Sequence, residues 1–315
     1  MTKQQLLDGH QRIQPYIHNT AVLNSRLINK IIGADVYFKC ENFQRAGAYK
    51  MRGATNAILQ LTEAQKKDGV VTHSSGNFAQ ALSLAAQSVG VTAHIVMPNT
   101  APQVKKVGVQ EYGGNIYECE STVIARQGLA DKIAQDTGAT FIHPSNDENV
   151  IVGQGTAAME LLHKHPDLDF IVCPIGGGGL IAGSALAAKF FGKNCKVIGG
   201  EPFEADDAYR SFISGNIEEN ESVNTIADGL KTMLGDKNFP IIKEDVSGIV
   251  RVTEDEIVAA MKLVWERMKI IIEPSSAVAV AAIIRKSKEQ PGYFEDKKIG
   301  IIISGGNVDL SKLPF

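Results

Sequence analysis

The chain has 315 residues, enough for two domains of ordinary size, and its 44% hydrophobic content supports a substantial core. Its 32 basic and 35 acidic residues are evenly mixed to a net charge of -3, which excludes the basic stripe of a nucleic-acid binder and the charge run of a disordered tail. The opening MTKQQLLDGHQRIQ carries no apolar signal segment, no apolar run nears the ~20 residues of a membrane span, and Cys40, Cys119, Cys173 and Cys195 form no C-x-x-C pair, so a reduced, cytoplasmic protein with no membrane or nucleic-acid partner is expected.

Short apolar runs alternate with longer amphipathic ones. The first predicted strand covers 36–39 and the first helix 49–61, with a lysine at its start in Gln44-Arg45-Ala46-Gly47-Ala48-Tyr49-Lys50-Met51-Arg52-Gly53-Ala54. Lys50 there sits in a helix N-terminal field that disfavours its positive charge. The neutral amine is the form that condenses with an aldehyde, which makes Lys50 a candidate Schiff-base residue. A strand at 69–72 leads through Thr72-His73-Ser74-Ser75-Gly76-Asn77 into a helix at 77–89. Strands follow at 93–97, 115–118 and 140–143, separated by helices from about 101 to 112 and from 121 to 136. A helix near 150–163 ends in His163-Lys164-His165, which reads as solvated rather than metal-binding. A second series of strands covers 170–175, 197–200, 249–252 and 299–303, with a small-residue helix at 180–191. Cys173, inside an apolar run, reads as a small core residue. Strand–helix alternation with near-continuous apolar strands predicts parallel sheets flanked by helices.

Three segments at predicted strand ends carry chemistry. Gly176-Gly177-Gly178-Gly179 joins a buried strand to a helix, and backbone N–H groups with no side chains in the way can wrap a phosphate. The run matches neither G-x-x-x-x-G-K-[ST] nor the usual dinucleotide fingerprint, so a single terminal phosphate fits it best; a tight turn for close packing is the alternative. Ser74, Ser75, Gly76 and Asn77 form a second anion site, suited to a substrate carboxylate, with Asn77 able to donate its amide to a phenolate oxygen. An N-cap serine before a turn glycine would look the same. Ser304, after the strand 299–303 in Ser304-Gly305-Gly306-Asn307, lies where ligands bind in open α/β sheets. A neutral serine there can hydrogen-bond a pyridine nitrogen without forcing its protonation.

Together these segments resemble the fold type II pyridoxal phosphate enzymes, the tryptophan synthase β-like group, and within it the serine racemase and serine/threonine dehydratase family. The resemblance covers essentially the whole chain. Val264-Trp265-Glu266-Arg267-Met268-Lys269, Ile272-Glu273-Pro274, Gly200-Glu201-Pro202, Ala205-Asp206-Asp207 and the tail Ser304-Gly305-Gly306-Asn307-Val308-Asp309-Leu310 carry it further. It implies an α/β fold of two open parallel-sheet domains flanked by helices, with a small substrate-loop domain over 66–144 inserted into a large cofactor domain built from 1–65 and 145–315. It implies pyridoxal 5'-phosphate attached at Lys50, with Asn77 at its phenolic oxygen, Gly176, Gly177, Gly178 and Gly179 at its phosphate and Ser304 at its ring nitrogen. Racemisation needs an acid/base on each face of a planar carbanion; Lys50 serves one face, and the family's racemases use a serine matching Ser75 on the other. Dedicated threonine dehydratases resemble S-A-G-N-H at this loop, so Ser75 favours a racemase-capable site. Arg126 matches a substrate-binding arginine suited to a second carboxylate. Glu201, the Ala205 carbonyl and Asp207 match a divalent cation site for Mg2+, Ca2+ or Mn2+. Gln80, Lys269 and Asn307 fall where related racemases bind ATP between subunits of a homodimer.

Departures from the pattern stand at Ala48 and Tyr49, where the family usually has serine and phenylalanine, and at Phe78, where histidine normally follows the asparagine. A C-terminal regulatory domain of the biosynthetic threonine dehydratase kind is not expected after Asn307. The leading expectation is a serine racemase with serine/threonine dehydratase activity, acting on a small amino acid. A threo-3-hydroxyaspartate dehydratase, with Arg126 reading the side-chain carboxylate, is the runner-up. A non-catalytic cofactor-binding protein and a nucleotide-dependent oxidoreductase built on the glycine run are the other classes.

Overall fold

The computed structural model describes residues 1–101 and 103–315. In chain order its strands are β1 (Val22–Asn24), β2 (Asp35–Cys40), β3 (Val70–His73), β4 (Ala93–Pro98), β5 (Asn115–Cys119), β6 (Thr140–Phe141), β7 (Phe170–Pro174), β8 (Lys196–Pro202), β9 (Gly248–Val252) and β10 (Lys298–Ile303). The α-helices are α1 (Lys3–Ile13), α2 (Arg26–Ile32), α3 (Lys50–Leu59), α4 (Glu63–Asp68), α5 (Asn77–Gln87), α6 (Gln103–Glu111), α7 (Val123–Thr137), α8 (Glu148–Lys164), α9 (Gly179–Phe191), α10 (Asp207–Ser214), α11 (Phe239–Asp245), α12 (Glu254–Met268) and α13 (Pro274–Glu289). Every apolar run read as a strand forms one. The helix expected from about 101 includes Pro102, which lies outside the described residues; α6 begins at Gln103.

Two sheets result. One has six strands in the order β1-β2-β10-β7-β8-β9, and the other four in the order β5-β4-β3-β6. All pairs are parallel except β1 with β2. The central place of β10, between β2 and β7, brings the two ends of the chain into one sheet. Pleating sends alternate residues of these strands to opposite faces, and both faces are covered. Phe170 and Val172 of β7 join the core under α12 and α13, while Ile171 and Cys173 join the core under α8 and α9. In the smaller sheet Val70 and Val71 divide in the same way between two cores. No helix among the described residues is long and apolar enough to cross a membrane.

Elements absent from the sequence reading are short, peripheral, or helices in the C-terminal half. β1 is a three-residue antiparallel edge strand, too short to show a period. Capping boxes do mark α1 (Thr2 with Gln5), α4 (Thr62 with Gln65) and α12 (Thr253 with Glu256).

The seating of α3 on α8 governs where Lys50 stands. Gly153 faces α3 so closely that a Cβ there would lie 2.6 Å from the Arg52 carbonyl oxygen and 2.6 Å from Gly53 Cα. The first turn of α3 has no side-chain cap from its own N-cap residue, Tyr49. Gln154 supplies one from α8, its Oε1 accepting from Gly53 N at 3.2 Å. Arg52, fully buried, donates to both oxygens of Glu41 (2.7 and 2.8 Å), to both oxygens of Glu160 (2.8 and 2.8 Å) and to Thr156 Oγ1 (3.1 Å). Lys39 adds a 2.5 Å bond to Glu160, so two cations face two carboxylates inside the protein. Paired charges of this kind tolerate burial; a single one left behind does not. Arg52→Met should therefore cost about 3–5 kcal/mol, read as a lowered urea midpoint; a midpoint equal to the parent's would contradict this role for the network.

Candidate active site

Lys50, the loop 74–77, the glycines 176–179 and Ser304 all follow strands, at the carboxyl ends of β2, β3, β7 and β10 respectively. The two sheets point these ends at one another, and a cavity of about 670 Å³ opens between them. Ligands in open α/β sheets bind at such ends because loops and helix N-termini converge there. The cavity wall includes Tyr49, Lys50, His73, Arg126, His143 and Glu273 besides the serine and glycine loops.

Lys50 is the first residue of α3, and its Nζ donates to Pro144 O at 2.7 Å. Burial is the largest influence on the amine and lowers its pKa to about 8, with the Glu273 carboxylate opposing the shift. Desolvation therefore accounts for the lowering that the sequence reading assigned to the helix N-terminus. Glu273 was noticed in the sequence only as part of a family string, where an acid before Pro274 reads as a helix cap. In the structure it is the N-cap residue of α13, and its carboxylate accepts Asn77 Nδ2 through both oxygens, at 2.8 and 3.0 Å. Burial and the nearby Asp228 charge push Glu273 up to about 7. Asn77 Oδ1 in turn accepts from Asn307 Nδ2 at 3.0 Å, and Asn307 also donates to Ala46 O at 2.8 Å. Both ends of the Asn77 amide are thus fixed, and one N–H of its two remains for a ligand.

The residues present fit pyridoxal phosphate. The N–H groups of Gly176, Gly177 and Gly178 meet no protein acceptor among the described residues, although they lie at the start of α9. Orphan donors at a helix N-terminus are what a phosphate satisfies. The run must also be glycine for packing: a Cβ at Gly177 would lie 2.4 Å from Ser145 Oγ, and Gly178 has φ +79. The tight turn of close packing is therefore present, and it leaves the N–H groups of the run open to a phosphate. Asn238 braces the loop by donating to Gly177 O at 2.9 Å and to Ser145 O at 3.2 Å. Ser304, nearly inaccessible, shares a 2.9 Å bond with Ser276 Oγ. The single Ser276 proton goes to Gly305 O at 2.7 Å, so Ser304 is the donor of that pair, and its hydroxyl would turn from Ser276 to meet a ring nitrogen.

On the other wall, Ser74, Ser75 and Gly76 line the cavity ahead of α5, with Gly76 N donating to Ser74 Oγ at 3.4 Å. Arg126 reaches the cavity from α7, its Nε bonded to Thr122 O of its own turn at 3.3 Å. Two histidines accompany it that sequence reasoning passed over. His73 pairs with Gln127 Oε1 at 2.9 Å, and His143 Nδ1 accepts from Ser145 N and Asn146 N at 3.2 and 2.8 Å. Burial, then the charges of His73 and Lys50, lowers His143 to about 4, so it is neutral at physiological pH. Nothing in the sequence near His143 marked it, because His73 and Lys50, whose charges act on it, come from distant parts of the chain.

Glu201 and Asp207 are both buried, at the end of β8 and the start of α10. Glu201 accepts from Ala208 N (2.9 Å) and Tyr209 N (2.7 Å), and Asp207 from Asn220 Nδ2 (2.8 Å) and Leu234 N (3.0 Å). Burial, then the Asp207 charge, raises Glu201 well above the ordinary range, and burial raises Asp207 to about 6. Two buried carboxylates that repel each other suit a cation between them. The described residues hold no cluster of three or more His, Cys, Asp or Glu placed for a metal, so any ion there would also need the Ala205 carbonyl or water. Asn307 belongs to the Asn77 network, Gln80 packs against Gly108 and Lys269 is an exposed helix cap; no hydrogen bond joins these three among the described residues.

Comparison with known proteins agrees with this geometry. Residues 13–305 match the family described as pyridoxal-phosphate dependent enzyme. The chain is 49% identical to a serine racemase of Dictyostelium discoideum, over 99% of this chain and 97% of that protein. It is 47% identical to a beta-hydroxyaspartate dehydratase of Paracoccus denitrificans, over 100% and 98%. The crystal structure of the Dictyostelium discoideum serine racemase aligns with a TM-score of 0.93 at 49% identity, covering 98% of this chain and 99% of that one. A dinucleotide oxidoreductase built on the glycine run is set aside by these matches. With its orphan N–H donors at the glycine run and its low-basicity lysine beyond a strand of the same sheet, this protein belongs to the pyridoxal-phosphate dependent enzymes.

Proposed function

We propose that this protein is a serine racemase that also dehydrates serine and threonine to keto acid and ammonia. The observation that carries this reading is that Lys50, a base lowered to about 8, and the hydroxyl of Ser75 line one cavity from different segments. Pyridoxal phosphate, when bound, supplies an electron sink that makes the α-proton of an attached amino acid removable. Lys50, Asn77, Gly176, Gly177, Gly178, Gly179 and Ser304 would hold it.

The chain's own residues do the rest. Lys50 in its neutral form takes the α-proton on one face. Ser75 returns a proton to the opposite face, which inverts the centre. Loss of the β-hydroxyl as water, in place of that return, leads after hydrolysis to the keto acid and ammonia, and needs only Lys50 for the L-substrate. Ser74, the N–H groups of the loop and Arg126 orient the carboxylate by charge-assisted hydrogen bonds. Glu273 holds Asn77 in place and shares its negative charge with the lysine side of the cavity.

A second reading, a β-hydroxyaspartate dehydratase, is favoured by Arg126, which together with the neutral His73 could receive a side-chain carboxylate. We further propose Mg2+, Ca2+ or Mn2+ at Glu201, Ala205 O and Asp207, a nucleotide effector near Gln80, Lys269 and Asn307, a cytoplasmic homodimer, and domain limits at 66–144 and at 1–65 with 145–315.

Three outcomes are expected. Borohydride treatment of the holoenzyme followed by peptide mapping should place a pyridoxyl label on Lys50, and Lys50→Ala should lose the label and about 10²–10⁴-fold or more of both activities; a label elsewhere sinks the assignment. Ser75→Ala should lose racemisation by about 10²–10⁴-fold while L-serine elimination changes little, measured by chiral chromatography beside ammonia release; equal loss of both would make Ser75 structural. A saturating divalent cation, at about 100 times its dissociation constant, should add about 2.7 kcal/mol of stability in calorimetry, and Glu201→Gln should abolish that response; a midpoint indifferent to chelator would remove the metal site.

A further inference from the structure

The surroundings of the Lys50 amine are unusual for a lysine. Pro144 O is its one hydrogen-bond acceptor among the described residues. The other close neighbours are aromatic faces: the ring centroid of Tyr49 lies 5.2 Å from Nζ and that of Phe78 lies 5.6 Å away. Tyr49 precedes the lysine in sequence. Phe78 comes from the other sheet's side, as the second residue of α5, and only 2% of it is exposed. The residue before it, Asn77, is tied to Glu273 and Asn307, so a polar anchor sets the position of the ring.

An ammonium carries three donors and a neutral amine two donors and a lone pair. With one oxygen within reach and apolar rings on two flanks, the ammonium loses hydration on those sides without replacement, while its remaining side opens on the cavity. A ring face attracts a cation, but less than water does. The lowered basicity of Lys50, for which burial is the largest cause, follows this balance.

We propose that Phe78 is a positioning residue for the Lys50 amine: with Tyr49 it brackets the nitrogen between two aromatic faces, keeps water from its flanks and leaves its lone pair directed into the cavity. This rests on the reading of Lys50 as the proton carrier. The titratable and charged groups around the amine come from several elements. They are Glu273 at the start of α13, His73 at the end of β3, His143 after β6, the Tyr49 hydroxyl, the Lys105–Asp228 pair, Lys231 and Arg126 on α7. Burial keeps the Tyr49 hydroxyl protonated well above neutrality and His143 stays neutral, so neither changes charge near pH 8; Glu273, raised to about 7, titrates nearby, and its part of the limb is common to parent and variants because neither substitution touches its carboxylate. Phe78 itself has no proton to exchange, so a change on replacing it reports solvent access to the lysine rather than a lost charge.

The test uses the holoenzymes of Phe78→Ala and Phe78→Leu. The amine must be neutral to act as a base, so kcat falls as pH drops through its pKa. Admitting water to the flank should move that acidic limb of kcat upward by about one pH unit in Phe78→Ala, so that kcat near pH 7 falls about tenfold, while KM and the alkaline plateau change little. Phe78→Leu, which keeps an apolar side chain and the fold, should shift in the same direction by less. The pH midpoint of the bound cofactor's visible band should move with the limb, a readout that a purely structural role would leave in place. If the limb and the band stay where they are in folded Phe78→Leu and Phe78→Ala, with the borohydride label still on Lys50, the bracket is overturned and the functional reading stands. If the parent enzyme carries no label on Lys50, the functional reading falls first.

Discussion

The contact between α3 and α8 decides where the reactive amine stands. Gly153 lets the two backbones approach, Gln154 caps the first turn of α3, and Arg52, two residues after Lys50, is locked by Glu41 and Glu160. Each of these acts within one turn of Lys50, so its Cα cannot drift without breaking a backbone contact, a cap or a buried ion pair. A cavity between two sheets would otherwise leave its lysine on a helix free to slide. Burying four charges to hold one helix is costly, and it is tolerable only because every charge has a partner in hydrogen-bond geometry.

Around that fixed point the cavity is assembled largely from neutral donors. Unpaired N–H groups at glycines 176–178, the serine hydroxyls and the second N–H of Asn77 are oriented before any ligand arrives. Preorganised dipoles of this kind stabilise charge without the reorganisation that water would need. Burial moves three ionisable groups of the cavity toward their neutral forms. Burial draws Lys50 down to about 8, Glu273 up to about 7 and His143 down to about 4. A base with a pKa near working pH is the useful one for proton transfer. The same desolvation that makes Lys50 basic enough yet neutral enough raises Glu273, so the lysine and the carboxylate are tuned by one cause.

The order of parts along the chain was legible because parallel strands buried on both faces read as continuous apolar runs. All the runs from 36–39 to 299–303 became strands, and the chemistry was found at their ends. Lys50, Asn77, the glycine run and Ser304 could be located that way, and the structure gathers them at one cavity. Glu273, His143 and Asn238 could not. Each sits in a local context that reads as a cap, a strand end or a loop, and each acquires its role only from a partner about 60 to 200 residues away, as Glu273 does from Asn77 and Asn238 from Gly177. The helices from α10 onward were missed for a different reason: a capping box such as that of Thr253 and Glu256 marks a start without distinguishing a helix from a turn.

By itself the sequence determined the periodicity of the elements, the glycines where a backbone must pass close or turn left-handed, and the chemical types at strand ends. These are local properties, set by side-chain size, polarity and spacing. Which residues face the lysine was decided only by tertiary structure. Phe78 and Tyr49 flank one nitrogen, and a carboxylate at 273 grips an amide at 77, because α5, α3 and α13 begin at the same cavity. Desolvation, the force that sets the basicity of the site, depends on all atoms around a group at once, and no stretch of sequence contains them.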